Sequence, residues 1–237
     1  MKGSKNAVLK LVGYSDFLKV INHLLKSTKA SVTTYDNWMP KSALFDKEAE
    51  LNDFLKHNFS PELGAEITNW WLFKDTTTPN WDLISTCTIN GKRGLVLVEA
   101  KAHIDELKND CKSDPSLSDN SIKNHDKIAK AIEEANVGIN KGNNNVQLSR
   151  DSCYQLSNRI AHAWWLADKG IPVVLLYLGF EDCKDMDNGK NKLFKKEEEW
   201  QTCFLEHAKI IGADTLIDKT LNCGESSFVM ICRSLKS

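Results

Sequence analysis

Asp82, Glu99 and Lys101 are the residues of this chain whose types and spacing point to chemistry. Residues Gly94 to His103 read GLVLVEAKAH, a near-continuous apolar run that sets a carboxylate and an ammonium two positions apart. An apolar run of that length, rich in Val and Leu, reads as a central strand buried on both faces. Side chains alternate across a strand, so Glu99 and Lys101 share one face. Burying a charge costs several kcal/mol unless it is paired, hydrogen-bonded or bound to metal, so the pair calls for a use. Asp82 opens the preceding strand-like segment, whose hairpin turn at Asn90-Gly91 brings it near Glu99. Carboxylates held together repel unless a divalent cation neutralises them. Two carboxylate oxygens and a strand carbonyl suit Mg²⁺, with Mn²⁺ as substitute, and leave room for water and phosphate oxygens. A metal with Lys101 beside it would stabilise the extra charge of a pentavalent phosphate and favour deprotonation of an attacking water.

The elements that must position these residues follow from periodicity and turn signals. Ser15 is placed to cap a helix with Phe17, Val20, Ile21, Leu24 and Leu25 on one face, outside the catalytic core. A second helix is expected over about Asp46 to Asn58, with Leu51, Phe54 and Leu55 inward and a chain break at Glu62 to Gly64. Three strand-like segments follow, Ile67 to Phe73, Trp81 to Ile89 and Gly94 to His103. Asp105 to Asn120 reads as a polar excursion, Ile122 to Val137 as a weakly amphipathic helix, and Lys141 to Asn145 as a loop. Ser149 is placed to cap a strongly periodic helix ending at Gly170, with Cys153, Leu156, Ile160, Ala163, Trp164 and Ala167 inward. Ile171 to Phe180 is a second fully buried strand. A helix over about Lys196 to Ile211 and a last edge strand at Phe228 to Cys232 complete the chain. Neither a repeat nor a clean linker is visible, so residues 1–237 read as one domain.

Helix, a strand opened by Asp, a strand closed by Glu-Ala-Lys, then helix and apolar strand: this order resembles the PD-(D/E)XK nuclease superfamily. The resemblance covers a core of about residues 46–180, with additions at 1–45, 104–148 and 181–237. It implies an α/β, restriction-endonuclease-like fold: a central mixed β-sheet flanked by α-helices, with an N-terminal helix, an insertion, and a C-terminal helix and strand added. Asp82 matches the family's metal-binding aspartate, Glu99 its second acidic ligand, and Lys101 its catalytic lysine, while Ala100 would lend its carbonyl to the metal. Glu48 matches the acidic residue that many members carry on the first core helix, and Gln155 the glutamine that some carry on the second. Trp81 stands where the family has Pro, and a long insertion separates the motif strand from the next core helix. The implied activity is Mg²⁺-dependent hydrolysis of phosphodiester bonds, with DNA as the expected substrate. The alternative is a nucleic-acid-binding or assembly module on the same fold without turnover.

Other polar residues keep two readings. His103 would reach the metal's water shell if its strand runs that far; as a strand-end surface residue it would not. Ser152, Gln155, Arg159 and His162 form a stripe on one flank of the helix after Ser149, suited to phosphates or to solvent. Trp70-Trp71 and Trp164-Trp165 are read as core packing rather than base-stacking platforms. Gly138 to Gly142 lacks the strand, lysine and hydroxyl context of a phosphate loop.

A net charge of −1 and a pI of 6.6 do not mark a nonspecific polyanion binder, although lysines around Lys190 to Lys196 could supply a small basic groove. Seven cysteines without a CxxC pair read as reduced thiols. With no signal-like apolar core and no apolar stretch long enough to span a bilayer, the expected setting is cytoplasmic, without membrane contact. A homodimer is compatible with cleavage of both strands.

Overall fold

Chain order and sheet order differ, and that difference creates the site. The computed structural model describes residues 4–74, 76–107, 110–142, 144–187 and 189–237. Parts of the expected Asp105 to Asn120 excursion (residues 108 and 109) and of the Lys141 to Asn145 loop (residue 143) lie outside the described residues. In chain order the elements are α1 (Lys5–Gly13), α2 (Phe17–Leu24), β1 (Ala30–Ser31), β2 (Trp38–Met39), β3 (Ala49–Glu50), α3 (Leu51–Asn58), α4 (Pro61–Trp71), β4 (Asn80–Trp81), β5 (Leu83–Ile89) and β6 (Lys92–Lys101). They continue with α5 (Asp119–Asn140), α6 (Tyr154–Asp168), β7 (Val173–Glu181), α7 (Glu197–Lys209), β8 (Thr220–Cys223) and β9 (Ser226–Lys236). The main sheet runs β1-β5-β6-β7-β9-β8, with β2 also on β5, while β3 and β4 form a separate two-stranded ribbon.

The Asn90-Gly91 turn sets the register of the centre. Both residues take positive φ, 50° and 77°, the backbone of a tight hairpin whose twist matches its strands. Ile89 therefore faces Lys92, and Leu83 faces Val98. Beyond β6 the polypeptide crosses over through α5 and α6 and returns as β7, parallel to β6, with Glu99 opposite Tyr177. β9 lies parallel to β7. The sheet is thus mixed, with three parallel strands at its heart and antiparallel ones outside.

Two apolar layers cover it. Leu95, Leu97, Leu175 and Phe228 pack with α3 to α7 on one face. Val96, Val98, Leu176 and Ile231 pack with α1 and α2 on the other. Each fully buried Leu, Val or Ile contributes about 1.5–3 kcal/mol, so this α/β/α sandwich holds the strand ends rigidly. Among the described residues no helix is long and apolar enough to cross a membrane.

Several expectations are corrected. Ile67 to Phe73 is not a strand: Ile67, Trp70 and Trp71 belong to α4, started by Pro61 and by Ser60, whose hydroxyl accepts from the Leu63 N–H at 3.2 Å. An apolar run this short has no period that separates helix from strand. Gly64 does not break the chain either. It lies inside α4, where a Cβ would stand 2.7 Å from the Asn52 carbonyl of α3, so the glycine serves close helix approach. The first core helix begins at Leu51 rather than near Asp46. α6 starts at Tyr154, after Cys153 in the left-handed region, and the Ser149 hydroxyl accepts from the Asp151 N–H instead of capping it. The helix read from Ser15 is α2, entered from Asp16, and α1 precedes it. Phe228 to Cys232 is not an edge, since β8 pairs outside β9.

Candidate active site

Register and alternation bring the carboxylates together. Leu83 faces Val98, so Asp82, one residue earlier, stands beside Glu99. Ile84 and Leu97 line the helix-rich layer, which puts Asp82, Glu99 and Lys101 on that face, towards α6. The backbone bends between β4 and β5 at Asp82, and its Oδ2 accepts the Ala100 N–H at 2.8 Å. The Ala100 carbonyl accepts the hydroxyl of Ser4, also at 2.8 Å, so the N-terminal segment reaches the motif strand from the opposite layer.

Glu99 is the centre of the cluster. Its Oε1 accepts from Lys101 Nζ at 2.7 Å and its Oε2 from Arg159 Nε at 2.7 Å. All three residues are buried, at 3%, 6% and 6% exposure, so water does not compete for these bonds. Lys101 Nζ also donates to Gln155 Oε1 at 2.6 Å. Arg159 Nη2 donates to the Asn80 carbonyl at 2.7 Å, and its guanidinium lies 4.3 Å from the Trp81 ring centre. α6 thus supplies two residues one helical turn apart, each gripping the motif strand.

Electrostatics follow from this packing. Burial, then the neighbouring Glu99 charge, push the Asp82 carboxyl up to about 7, against the Ala100 N–H, Lys101 and Arg159. Burial acts in the same direction on Glu99, but Arg159 and Lys101 outweigh it and hold that carboxyl below the ordinary range. Tyr177, across from Glu99 on β7, is raised well above the usual phenol range by burial and by the Glu99 charge, and its buried hydroxyl has no hydrogen-bond partner among the described residues.

The remaining candidates fare differently. Glu48 precedes β3 and lies 3.9 Å from Lys5 Nζ; it is not on the first core helix. β6 ends at Lys101, and His103 turns towards Asp105 and Glu106, at 3.7 and 4.0 Å. It is buried rather than a surface residue, at 9% exposure. The stripe on α6 is no solvated flank, because α6 is buried on every side from Leu156 to Ala167. Gln155 and Arg159 turn to the site, whereas His162 enters a nest formed by Trp70, Trp71 and Trp81. Both tryptophan pairs are packing: Trp70 stacks on Trp165 at 5.6 Å.

Sequence reasoning missed Asp110. Its carbonyl accepts the Tyr154 N–H at 3.0 Å, and its carboxylate accepts the Gln155 N–H at 3.3 and 3.4 Å. It satisfies the first turn of α6, where a negative charge is favoured, directly behind Gln155. An aspartate in a polar excursion carries no sequence signal for that contact.

Among the described residues no group of three or more His, Cys, Asp and Glu side chains converges as a candidate metal centre. Asp82 Oδ1 accepts no hydrogen bond from the described residues, and each Glu99 oxygen and the Ala100 carbonyl accept one side-chain hydrogen bond there and so keep a second lone pair. These hard oxygens fit Mg²⁺ in donor type. Arg159 departs from the expectation, as it already neutralises the carboxylate such an ion would use. No family model, curated protein or solved structure matches this chain.

Proposed function

We propose that the protein is a metal-dependent nuclease of the PD-(D/E)XK type, on a restriction-endonuclease-like core, hydrolysing phosphodiester bonds in DNA. The observation that carries this reading is the convergence of Asp82, Glu99, Lys101 and Gln155 where β6 ends and α6 begins. Asp82, Glu99 and the Ala100 carbonyl would hold Mg²⁺. When bound, the ion supplies charge stabilisation at the phosphate and a more acidic water. Lys101, fixed between Glu99 and Gln155, presents its ammonium to the phosphate and the attacking water, and its ordered position costs nothing at the moment of reaction. Gln155 positions Lys101, and Asp110 positions Gln155 through its backbone N–H. Arg159 holds the other Glu99 oxygen, Oε2, through its Nε–H.

A second reading has an observation of its own. Two carboxylates and two cations make the cluster charge-balanced, and both Glu99 oxygens are engaged. Such a closed network suits a nucleic-acid-binding or assembly module with no turnover. Incubation of linear and circular DNA with the purified protein and Mg²⁺ or Mn²⁺ decides between them. Cutting by the wild type, lost in Asp82→Ala and Lys101→Ala with circular dichroism unchanged, supports the nuclease. A wild type that neither cuts nor changes its melting temperature with Mg²⁺ supports the module.

A further inference from the structure

Beside the cluster, on the other flank of α6, lies a cavity of about 650 Å³, within the ~300–1,000 Å³ range of small-ligand sites. Its floor is apolar, formed by Trp71, Leu72 and Ile128. Its walls come from the segment before β4, the start of α5 and the first turns of α6. Tyr154 and Asn158 line it, while their chain neighbours Gln155 and Arg159 serve the cluster, so site and cavity share one helix end.

Two orphaned polar atoms belong to its walls. Asn158 is 5% exposed, and its Oδ1 has no hydrogen-bond partner among the described residues. His125 Nδ1 lies 3.0 Å from Arg150 Nη1. A guanidinium only donates, so Nδ1 accepts and the proton sits on Nε2; that N–H is buried and has no partner among the described residues. An orphaned acceptor and an orphaned donor on one cavity cost free energy that a ligand can recover. Both side chains line the cavity.

The cavity's charge is cationic. Lys74 and Lys112 line it against one carboxylate, Asp114, with Arg150 behind the neutral His125 ring and itself bonded to Asp151 at 3.1 Å. Lys112 stands 5.4 Å from the Tyr154 ring centre. Ser118 caps α5 at the rim, adding the positive end of a 22-residue helix.

We propose that this cavity is a nucleotide subsite, taking the base and phosphate of the residue that flanks the cleavage position. The base lies on the Trp71, Leu72 and Ile128 floor with its exocyclic amine on Asn158 Oδ1, and the phosphate meets Lys112 and the Nε2–H of His125. The flanking role rests on the nuclease reading; the nucleotide site itself does not.

Calorimetry with 5′-AMP as probe, on the full chain in EDTA so that nothing is cut, tests this. Wild type and Asp82→Asn bind AMP alike, and adenosine binds more weakly. Asn158→Leu and Lys112→Glu each weaken AMP about tenfold or more, and a ten-residue single-stranded DNA competes with AMP. Lys112 is a partly exposed loop residue, so its variant keeps the test open should Asn158→Leu not fold. Absence of AMP binding, AMP binding unchanged in Lys112→Glu, or DNA that does not compete would overturn the subsite. AMP bound through these residues by a protein that cuts nothing leaves the nucleotide site standing and removes the nuclease; cutting without AMP binding does the reverse.

Discussion

Arg159 Nε lies 2.7 Å from Glu99 Oε2, and this bond ties the second core helix to the motif strand from inside the protein. It explains how a carboxylate with 3% exposure stays ionised: Lys101 takes one oxygen and Arg159 the other. A buried carboxylate flanked by two cations loses stability when either is removed, because the desolvation of the whole set is then only partly offset.

Replacing Arg159 with Met therefore destabilises by about 3–5 kcal/mol, the cost of leaving a buried charge half-paired. The Asn80 carbonyl loses its donor in the same variant. Arg159→Lys restores the charge but not two bonds at a fixed angle, so it recovers only part of the loss. Urea midpoints measure both. Glu99→Gln combined with Arg159→Met should cost less than the sum of the two single changes; strict additivity would show that the pair does not couple.

Gly64→Ala tests the approach of α3 to α4. Alanine favours a helix over glycine by about 1 kcal/mol, so propensity alone predicts a gain. The new methyl group would stand 2.7 Å from the Asn52 carbonyl, and forcing backbone apart costs roughly 1–3 kcal/mol. A lower thermal midpoint is expected, and a higher one would contradict the packing.

The legible part of the molecule was the part governed by a fixed period. Alternation put Glu99 and Lys101 on one face, and Asn90-Gly91 fixed a hairpin register that counts back to Asp82. Burial on all sides hid the rest. On a helical wheel Arg159 and His162 fall on a polar stripe, but α6 has no solvent face for it, so Arg159 turns to Glu99 and His162 to the tryptophans. Ile67 to Trp71 offered no period at all, and the Ser60-Pro61 start that identifies α4 lay just outside the apolar run. Asp110 depends on a chain excursion returning to the N-terminus of α6, a tertiary contact without a local signature.

His162 makes the fold acid-sensitive. Its Nδ1–H donates to the Asn158 carbonyl at 2.9 Å, its Nε2 has no partner among the described residues, and burial pulls its pKa down to about 3. Above about pH 6.5, the ordinary value, the ring is neutral folded or unfolded and its contribution is fully present. As pH falls from there towards 3 only the unfolded chain takes the proton, which removes about 3 kcal/mol by pH 4 at 1.36 kcal/mol per unit. His162→Phe keeps an aromatic ring in the nest, so its stability falls less than the wild type's between pH 7 and pH 4, as chemical denaturation at the two pH values will register.

Asp82 acts with the opposite sign, and magnesium should expose it. Its carboxyl is raised from 3.8 to about 7, so the folded state holds the proton more tightly than the unfolded chain does. Stability from this group is full below about pH 4 and is lost as pH rises through 7. A divalent cation needs the ionised form: at pH 6 it must displace a proton, and at pH 8 the proton has gone. The Mg²⁺-induced rise in melting temperature is therefore larger at pH 8 than at pH 6, since a ligand stabilises by its affinity for the folded state. Asp82→Asn retains an acceptor for the Ala100 N–H, removes the repulsion from Glu99, and should melt higher than the wild type at pH 8 without metal. The same variant should lose the Mg²⁺ response at both pH values. A Mg²⁺ shift of equal size at pH 6 and pH 8, or one that survives in Asp82→Asn, would place the ion elsewhere and separate the carboxylate pair from metal binding.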